Sequence, residues 1–279
     1  MIVMSTIATE LVSPESEGLL ALIREVAEKA ERPTRALHLQ ALLHLPQIAN
    51  SRGEADRDDV RELLHDLAGE LPVAVSWRVD RPVSSPRDLR FENVPMDVAM
   101  PLLLDFHYLR SPRLDGRSYG LYAAGEPRPV AVCVSSPLDV EHLQRMLVHH
   151  GRVDAEPRVM SRVFAFEGAP RNTLSHLLAL AAREEARCGV TDFVTYVNPN
   201  MGFTGASYLA ANWHLLGDEP GTTYRYLDRR YITDRQLRAR FGTVDDAVLL
   251  RQLGERFRRS TMPLRPLLVF HYIFGKLRS

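Results

Sequence analysis

The sequence predicts a mixed α/β (α+β) protein with a helical lobe before the sheet and a basic helical tail after it. Two observations lead to this class. Between residues 159 and 232 the apolar residues change several times between the alternating pattern of strands and the spacing of helices. Before residue 72 they recur mainly at helical spacing. A 45% hydrophobic share, without a run long enough to cross a bilayer, is typical of a soluble globular protein.

The N-terminal lobe is expected to contain three helices, at residues 14–31, 36–48 and 60–71. A single strand is predicted over 72–79, and the proline-rich segment 81–86 has the composition of a linker. We therefore expect an N-terminal lobe over 1–85, a central domain over 86–235 and a C-terminal extension over 236–279.

A strand, a loop and a helix lie at the centre of the predicted domain. The segment 159–166 is short, apolar and rich in Val and Phe, which predicts a buried strand. Thr173 stands where it can cap the following helix. A second strand is predicted over 192–197, then a turn at 198–200 and a short helix over 205–212. The loop before the first helix directs backbone amides outward, which favours an anion there.

Further elements are predicted on both sides of this unit. Upstream they are a strand at 89–94, a helix at 95–106, strands at 119–124 and 129–135, and a helix at 138–149. Downstream they are a strand at 213–216 and a β-rich run at 222–232.

Two stretches resemble motifs of a known superfamily. Residues 208–213, Tyr-Leu-Ala-Ala-Asn-Trp, followed by Gly217, are similar in order and spacing to the Leu-Tyr-x-x-x-Gly-Phe helix end of the GCN5-related N-acetyltransferase (GNAT) superfamily. Residues 170–175, Pro-Arg-Asn-Thr-Leu-Ser, correspond to its Arg/Gln-x-x-Gly-x-Gly/Ala pyrophosphate loop. They keep the arginine but place Asn172 and Leu174 at positions where the superfamily prefers glycine.

The resemblance covers about residues 88–235 and implies a GNAT-like, mostly antiparallel sheet flanked by helices. The pair His107-Tyr108 and the run 204–213 look most like the divergent branch that includes the phage Mom DNA-modification protein. Some GNAT-like proteins take their acyl group from aminoacyl-tRNA instead of coenzyme A, including ones in natural-product pathways.

The resemblance implies three catalytic candidates. Tyr208 corresponds to the tyrosine that protonates the leaving thiol, and a phenol remains protonated at neutral pH. His107 and Tyr108 lie in the segment that covers the acceptor site in the superfamily, and a histidine titrates in the range of a general base. The alternatives are a core aromatic at Tyr208 and a structural histidine at position 107.

Binding of the donor is expected at the same strand and loop. Backbone amides of the predicted strand can hold the acyl carbonyl, and the loop and helix N-terminus can hold phosphate, unless they form only an ordinary cap. The residues expected to bind the donor are Phe164, Ala165, Phe166, Arg171, Asn172, Thr173 and Asn198.

The formal net charge of the chain is zero, but the acidic and basic residues are unevenly distributed along the sequence. Residues 15–70 hold twelve acids against seven bases, whereas residues 225–259 hold ten arginines against five acids. A basic C-terminal third suggests a phosphate-rich partner such as tRNA, and a solvated helix face is the alternative. The residues expected to bind nucleic acid are Arg225, Arg229, Arg230, Arg235 and Arg238. Alternation along a strand also places Tyr224 and Tyr226 together on one face.

Several other sites are not expected. Cys133 and Cys188 are predicted to be small buried hydrophobes in a reducing cytoplasm. The His149-His150 pair lacks the further ligands of a zinc site and is expected at the surface. The N-terminus has no secretory pattern, and no serine has nucleophile-elbow spacing, which makes a serine hydrolase improbable.

These observations favour a GNAT-like N-acyltransferase that transfers an aminoacyl group from aminoacyl-tRNA to the amine of a small molecule, in natural-product biosynthesis. One alternative is an acetyl-CoA-dependent N-acetyltransferase. The others are a Mom-like enzyme that modifies nucleic-acid bases and a catalytically inactive binding protein with this fold.

Overall fold

The computed structural model describes residues 9–11, 16–111, 113–138, 141–152, 156–219 and 221–275 of the 279-residue chain. Its contacts divide it into two compact units. The first comprises the described parts of Met1–Val73, Pro199–Gly202 and Pro220–Pro266, and the second those of Ala74–Asn198, Phe203–Glu219 and Leu267–Ser279. Parts of three predicted segments lie outside the described residues, namely 14–15, 139–140 and 276–279.

The secondary structure confirms most of the predicted elements. The helices of the described residues are α1 (Glu17–Lys29), α2 (Thr34–His44), α3 (Arg57–Gly69), α4 (Met96–Asp105), α5 (Glu141–His149), α6 (Thr173–Arg187), α7 (Ala206–Ala210), α8 (Asp234–Phe241) and α9 (Asp246–Leu253). The strands are β1 (Thr9–Leu11), β2 (Glu54–Asp56), β3 (Arg90–Asn93), β4 (Arg117–Tyr122), β5 (Ala131–Pro137), β6 (Arg158–Ala165), β7 (Asp192–Val197), β8 (His214–Glu219), β9 (Arg225–Leu227), β10 (Arg230–Ile232), β11 (Phe257–Arg259) and β12 (Leu267–Ile273).

In the first unit the helices α1, α2 and α3 pack on one another, as the periodicity predicts. The Ser16 side chain accepts a hydrogen bond from the Leu19 amide and caps α1. The helices bury leucines such as Leu22, Leu37 and Leu64, because these lie on the apolar stripe of each helix. A second part of this unit is a three-stranded antiparallel sheet in the order β10-β9-β11.

Two predictions about the secondary structure are wrong. The strand expected over 72–79 is replaced by a 3₁₀ turn at Ala74–Trp77. The helical C-terminal extension expected over 236–279 contains α8 and α9 but continues into two strands. One of these strands, β12, lies inside the sheet of the second unit, between β7 and β8. Residues 221–266 group with the N-terminal helices instead of forming a separate tail.

The second unit is built on a seven-stranded sheet in the order β3-β4-β5-β6-β7-β12-β8. Its neighbouring strands run antiparallel, except for the parallel pair β6 and β7. This confirms the predicted mixed, mostly antiparallel sheet.

Helices cover both faces of this sheet. On one face α6 buries Leu177 and Leu178 against Tyr119 and Phe193. On the other face α5 buries residues such as Leu143 against the next residue of β7, Val194. Successive side chains of a strand point to opposite faces, so one strand contributes to both cores.

A buried carboxylate ties α6 to the sheet. Glu185, on the inner face of α6, accepts hydrogen bonds from the Tyr119 hydroxyl at 2.9 Å and from Arg117 Nη1 at 2.9 Å. The Nε atom of Arg158 lies 3.8 Å from the same carboxylate. Because a buried charge is costly without partners, these contacts fix the helix against β4 and β6.

A second buried carboxylate anchors the start of β7. Asp192 accepts hydrogen bonds from Arg152 Nε at 2.8 Å, from the Thr191 hydroxyl at 2.7 Å and from His271 Nε2 at 2.9 Å. Burial alone would raise the pKa of Asp192, but hydrogen bonds from Arg152, Thr191 and His271 outweigh it and lower that pKa to about 2. The carboxylate is therefore charged at neutral pH.

The start of α7 requires a glycine. Gly205 has a φ of +78°, and a Cβ atom at this position would overlap the ring of Phe270. We expect Gly205→Ala to lower the free energy of unfolding by roughly 2–4 kcal/mol, from left-handed strain plus overpacking. Urea denaturation measures this change.

Gly189→Ala is the matched control for this substitution. Gly189 has a φ of +88° but no atom within 4 Å of the added Cβ, so we expect a loss of only about 1 kcal/mol. Equal losses in the two variants would show that the contact with Phe270 has no energetic effect.

Candidate active site

The parallel strands β6 and β7 pair over only a short length and then separate. They share two residue pairs, the last of which joins Val159 to Val194. Beyond this point β6 continues to Ala165 and β7 to Val197 without further pairing between them. The result is a wedge between two neighbouring strands of one sheet.

A β-bulge marks the place where the strands part. Met160 pairs with Ser135 of β5, and Arg162 pairs with the adjacent Val134, so Ser161 is an extra residue in β6. A bulge bends the strand that carries it and increases its twist. The bend follows directly after the last pair with β7, and we attribute the opening of the wedge to it.

The edge of β6 that faces the wedge has free backbone groups. The Phe166 amide donates to the Val130 carbonyl at 2.9 Å, on the side of β5. Because backbone groups alternate along an antiparallel strand, the Phe164 amide points the same way, whereas those of Val163 and Ala165 point into the wedge. No backbone partner for these two amides is present among the described residues.

Thr195 and Tyr208 close the narrow end of the wedge. The Thr195 hydroxyl donates to the Met160 carbonyl at 2.8 Å, which joins β7 to β6 just beyond their last pair. The Tyr208 hydroxyl lies 3.3 Å from the Thr195 hydroxyl. Since the single proton of Thr195 is used by the carbonyl, Tyr208 is the donor in the longer contact, with Thr195 Oγ1 as the acceptor.

Tyr208 is held by aromatic contacts. Its ring centroid lies 5.3 Å from that of Trp213 and 5.9 Å from that of Phe270. Burial raises the pKa of the Tyr208 hydroxyl, and the nearby Tyr108 raises it further. The Tyr208 hydroxyl is therefore protonated at neutral pH.

The structure brings His107 and Tyr108 into the same region. Their ring centroids are 4.7 Å apart, and the Tyr108 ring packs edge-on against Phe203 at 5.5 Å. Burial, together with the positive charge of Arg162, holds the pKa of His107 well below its usual range.

His107 does not have the properties of the general base that the sequence suggests. Its Nδ1 atom lies 3.2 Å from the Leu109 amide and accepts that hydrogen bond. A neutral imidazole that accepts at Nδ1 carries its proton on Nε2. His107 is therefore a neutral hydrogen-bond donor, and the prediction of a base at this position is corrected.

Arg162 is a site residue that the sequence analysis did not identify. Its Nε atom donates to the Ser111 carbonyl at 2.6 Å and its Nη1 atom to the Ser161 carbonyl at 2.6 Å. Its positive charge lowers the pKa of both His107 and Tyr108. The available signal was an arginine inside an apolar strand, but 33 arginines in the chain made any one of them inconspicuous.

The loop before α6 reaches its conformation without the glycines of the superfamily motif. Asn172 adopts the left-handed region with φ +66°, which asparagine tolerates. Leu174 turns inward and packs against the core, so its side chain does not obstruct the loop. The exposed Arg171 lies beside this turn.

The predicted helix cap at Thr173 is corrected. Thr173 is the first residue of α6, and its hydroxyl donates backward to the Pro170 carbonyl at 2.6 Å. Asn172 occupies the cap position without a side-chain hydrogen bond. In the first turn the amides of Leu174 and Ser175 have no acceptor among the described residues, and they can bind an anion.

Phe166 is a core residue and not a contact for a donor. It is 3% exposed, and the Arg128 guanidinium lies 4.4 Å from its ring centroid. It packs with Phe164, whose centroid is 4.9 Å away. Of the three strand residues expected to bind a donor, Ala165 alone directs its amide into the wedge. Asn198 is half-buried directly after β7.

The arginines expected to bind nucleic acid lie in the first unit, and the structure pairs Arg225, Arg229 and Arg230 with acids. The ion pairs are Arg225 with Asp234 (2.8 Å) and Asp246 (2.7 Å), Arg229 with Glu62 (3.5 Å) and Asp66 (3.6 Å), and Arg230 with Glu70 (2.6 Å). The other two, Arg235 and Arg238, are exposed on α8.

The tyrosines between these arginines are buried. Tyr224 is 2% exposed, and Tyr226 is fully buried with its hydroxyl donating to the Leu43 carbonyl at 3.0 Å. Neither ring is available for stacking on a base. These two tyrosines are therefore core residues, and the binding of nucleic acid by the arginines of this hairpin stays a prediction.

The remaining expectations concern cysteines, metals and membranes. Cys133 is buried as predicted, but Cys188 is exposed at the end of α6. Within the described ranges no group of three or more His, Cys, Asp and Glu side chains is arranged to hold a metal ion. In the same ranges no helix has both the length and the apolar character needed to cross a membrane.

A comparison with protein families assigns the chain. The sequence model described as the Mom protein family matches residues 88–275, which is well over half of the chain. The chain belongs to the Mom protein family. The matched range of this Mom-family protein includes the wedge, the loop before α6 and β12. No curated protein matches the chain.

Solved acetyltransferase structures are similar to this Mom-family protein at low identity. A Bacillus subtilis acetyltransferase in complex with CoA is 11% identical, with 67% of this chain and 99% of that chain covered and a TM-score of 0.37. Arabidopsis thaliana NAA60 in complex with acetyl-CoA is 10% identical, with 67% and 99% covered and a TM-score of 0.42. Drosophila melanogaster polyamine N-acetyltransferase is 13% identical, with 67% and 100% covered and a TM-score of 0.37.

Replacing Tyr208 tests the role that the sequence resemblance predicts for it. As the predicted acid for a leaving thiol, Tyr208 would lose that role in Tyr208→Phe, and we expect acyl transfer from acetyl-CoA to slow by roughly 100-fold. The free energy of unfolding should change by less than about 1 kcal/mol, since Thr195 keeps its bond to the Met160 carbonyl. Thiol release from acetyl-CoA and urea denaturation measure the two quantities.

Tyr272→Phe serves as the control. Tyr272 stacks on Trp213 at 5.7 Å in the same aromatic group but has no hydroxyl contact with Thr195. We expect wild-type turnover in this variant. Unchanged turnover in Tyr208→Phe would show that Tyr208 is a core aromatic and does not protonate the leaving group.

Proposed function

We propose that this protein is an N-acyltransferase that uses an acyl-coenzyme A thioester as donor. The observation that carries the proposal is the wedge between β6 and β7, with free amides on one wall and the Tyr208 hydroxyl at its narrow end. A thioester arm can lie along the open edge of β6 in the manner of an added strand. Its carbonyl then meets backbone amides and its sulfur meets an acid.

The loop before α6 suits the phosphates of this donor. The free amides of Leu174 and Ser175 lie at the positive end of the α6 dipole, and Arg171 adds an exposed guanidinium. The left-handed Asn172 supplies the turn that glycine supplies in the superfamily motif. The residues present therefore fit a pyrophosphate at this loop.

The chemistry follows from the same residues. The acceptor nitrogen attacks the thioester carbon, and an amide from the β6 edge stabilises the developing oxyanion. As the C–S bond breaks, the Tyr208 hydroxyl gives its proton to the sulfur, and a thiol leaves. The proton lost from the nitrogen is transferred to the Tyr208 oxygen, which is thereby reprotonated. A new C–N bond has replaced the C–S bond.

Aminoacyl-tRNA is less well supported as the donor. Its main support was a basic surface on the β9–β10 hairpin, and the arginines there are neutralised by Glu62, Asp66, Glu70, Asp234 and Asp246. Arg235 and Arg238 are exposed on α8. Membership in the Mom family favours a second candidate, in which the acceptor is the nitrogen of a nucleic-acid base.

Calorimetry with acetyl-CoA tests the donor. We expect saturable binding that weakens by about tenfold in Arg171→Ala, because one charge-assisted contact to phosphate is lost. Arg187→Ala at the opposite end of α6 is the control, since Arg187 pairs with Glu184 there and should not affect binding.

The salt dependence separates the two donors. Binding of acetyl-CoA at a single loop should change little with salt, whereas tRNA contacts many phosphates and its affinity should fall steeply. Tight, salt-sensitive binding of aminoacylated tRNA without binding of acetyl-CoA would contradict the proposed donor.

A further inference from the structure

Three basic side chains lie together on the outer face of α6, in the second unit. His176 and Arg183 are seven residues apart, or about two helical turns, so they share the stripe opposite the buried leucines of this helix. Arg87 comes from the 3₁₀ turn Pro86–Asp88, which packs against α6. Both arginines are exposed, and His176 is half-buried. We refer to these three residues as the cationic cluster.

The turn that carries Arg87 is fixed by contacts other than its guanidinium. The Ser85 side chain accepts a hydrogen bond from the Arg87 amide at 3.2 Å and caps the turn. Leu89, directly after the turn, is buried in the same core as Leu177 of α6. The backbone at Arg87 is therefore held against α6 while its side chain is left at the surface.

The charges of the cluster act on one another. Burial lowers the pKa of His176, and the positive charges of Arg87 and Arg183 lower it further. Side chains of a helix lean toward its N-terminus, so Arg183 extends back toward His176. Positive groups held this close disfavour one another unless an anion lies between them.

No acid neutralises the two arginines within the described part of the chain. Glu184, next to Arg183 in sequence, pairs instead with Arg187 at 2.6 Å. Asp88, next to Arg87, accepts a hydrogen bond from the Ser84 hydroxyl at 3.2 Å. This distinguishes the cluster from the arginines of the β9–β10 hairpin, which have acidic partners.

The cluster begins one helical turn beyond the loop that suits a pyrophosphate. The His176 amide donates to the Asn172 carbonyl at 2.9 Å, which is an ordinary helical bond. His176 thus lies about 6 Å along the axis from the left-handed residue of that loop. Coenzyme A carries a phosphomonoester on the 3′ oxygen of the ribose to which its pyrophosphate is attached. The cluster lies at a distance that this second phosphate can reach.

We infer that Arg87, His176 and Arg183 bind the 3′-phosphate of the donor, and that the protein selects a donor with this phosphomonoester in addition to the pyrophosphate. The inference rests on the proposed function. A phosphomonoester carries nearly two negative charges at neutral pH, and guanidinium groups match its oxygens in geometry. A neutral imidazole between them can donate one further hydrogen bond.

Two donors that differ only in this phosphate test the inference. Calorimetry with the full chain measures the affinities of acetyl-CoA and acetyl-3′-dephospho-CoA. We expect the wild type to bind acetyl-CoA at least about tenfold more tightly, because charge-assisted hydrogen bonds to the phosphate are lost in the other donor. In the double variant Arg87→Ala, Arg183→Ala this preference should fall below about twofold. The affinity for the dephospho donor should stay at the wild-type value, which also shows that the variant is folded.

Arg187→Ala is the matched control, since it removes an arginine from the same helix that is already paired with Glu184. We expect it to keep the wild-type preference. Equal affinities of the two donors for the wild type, or a preference that survives in the double variant, would overturn the inference and leave the proposed donor intact. Binding of neither donor would refute the proposed donor and the inference with it.

A DNA duplex is the second probe, because its phosphates offer related chemistry. We expect the double variant and Arg187→Ala to bind the duplex equally. If the double variant binds the duplex more weakly while its preference between the two donors is unchanged, the cluster contacts nucleic acid and the inference is wrong.

Discussion

The bulge at Ser161 is the feature on which the candidate site depends. β6 keeps its pairing with β5 on both sides of the bulge, but its pairing with β7 ends at Val159. A sheet of fully paired strands would have no free amide in its interior, because a buried unpaired N–H is costly. The extra residue places that unpaired edge beside the hydroxyls of Thr195 and Tyr208.

The rest of the second unit holds the two sides of this wedge in place. On the β7 side, Asp192 is bound by Arg152 and by His271 of β12, and β12 pairs along the whole of β7. On the β6 side, Glu185 joins α6 to the sheet through Arg117 and Tyr119. Each carboxylate has its partners on neighbouring elements, so the wedge walls are fixed by buried pairs as well as by apolar packing.

Local patterns predicted the elements of the site but not the contacts between them. Apolar alternation placed β7, and the spacing of Tyr208 with Trp213 indicated a site tyrosine, because both signals lie within a few residues. The position of β12 depends on pairing with β7 about 75 residues away, which leaves no local signal. The same holds for Arg229, whose partners Glu62 and Asp66 come from α3. A count of arginines therefore predicted a basic surface where the fold has ion pairs.

Amide hydrogen exchange at β6 tests the central claim most directly. In the free protein the amides of Val163 and Ala165 should exchange quickly, while that of Phe164, bonded toward β5, should be protected. Saturating acetyl-CoA should then slow exchange at Val163 and Ala165 and leave Phe164 unchanged. If both amides are protected without a donor, or if bound acetyl-CoA leaves their exchange unaltered, the wedge is not the donor site.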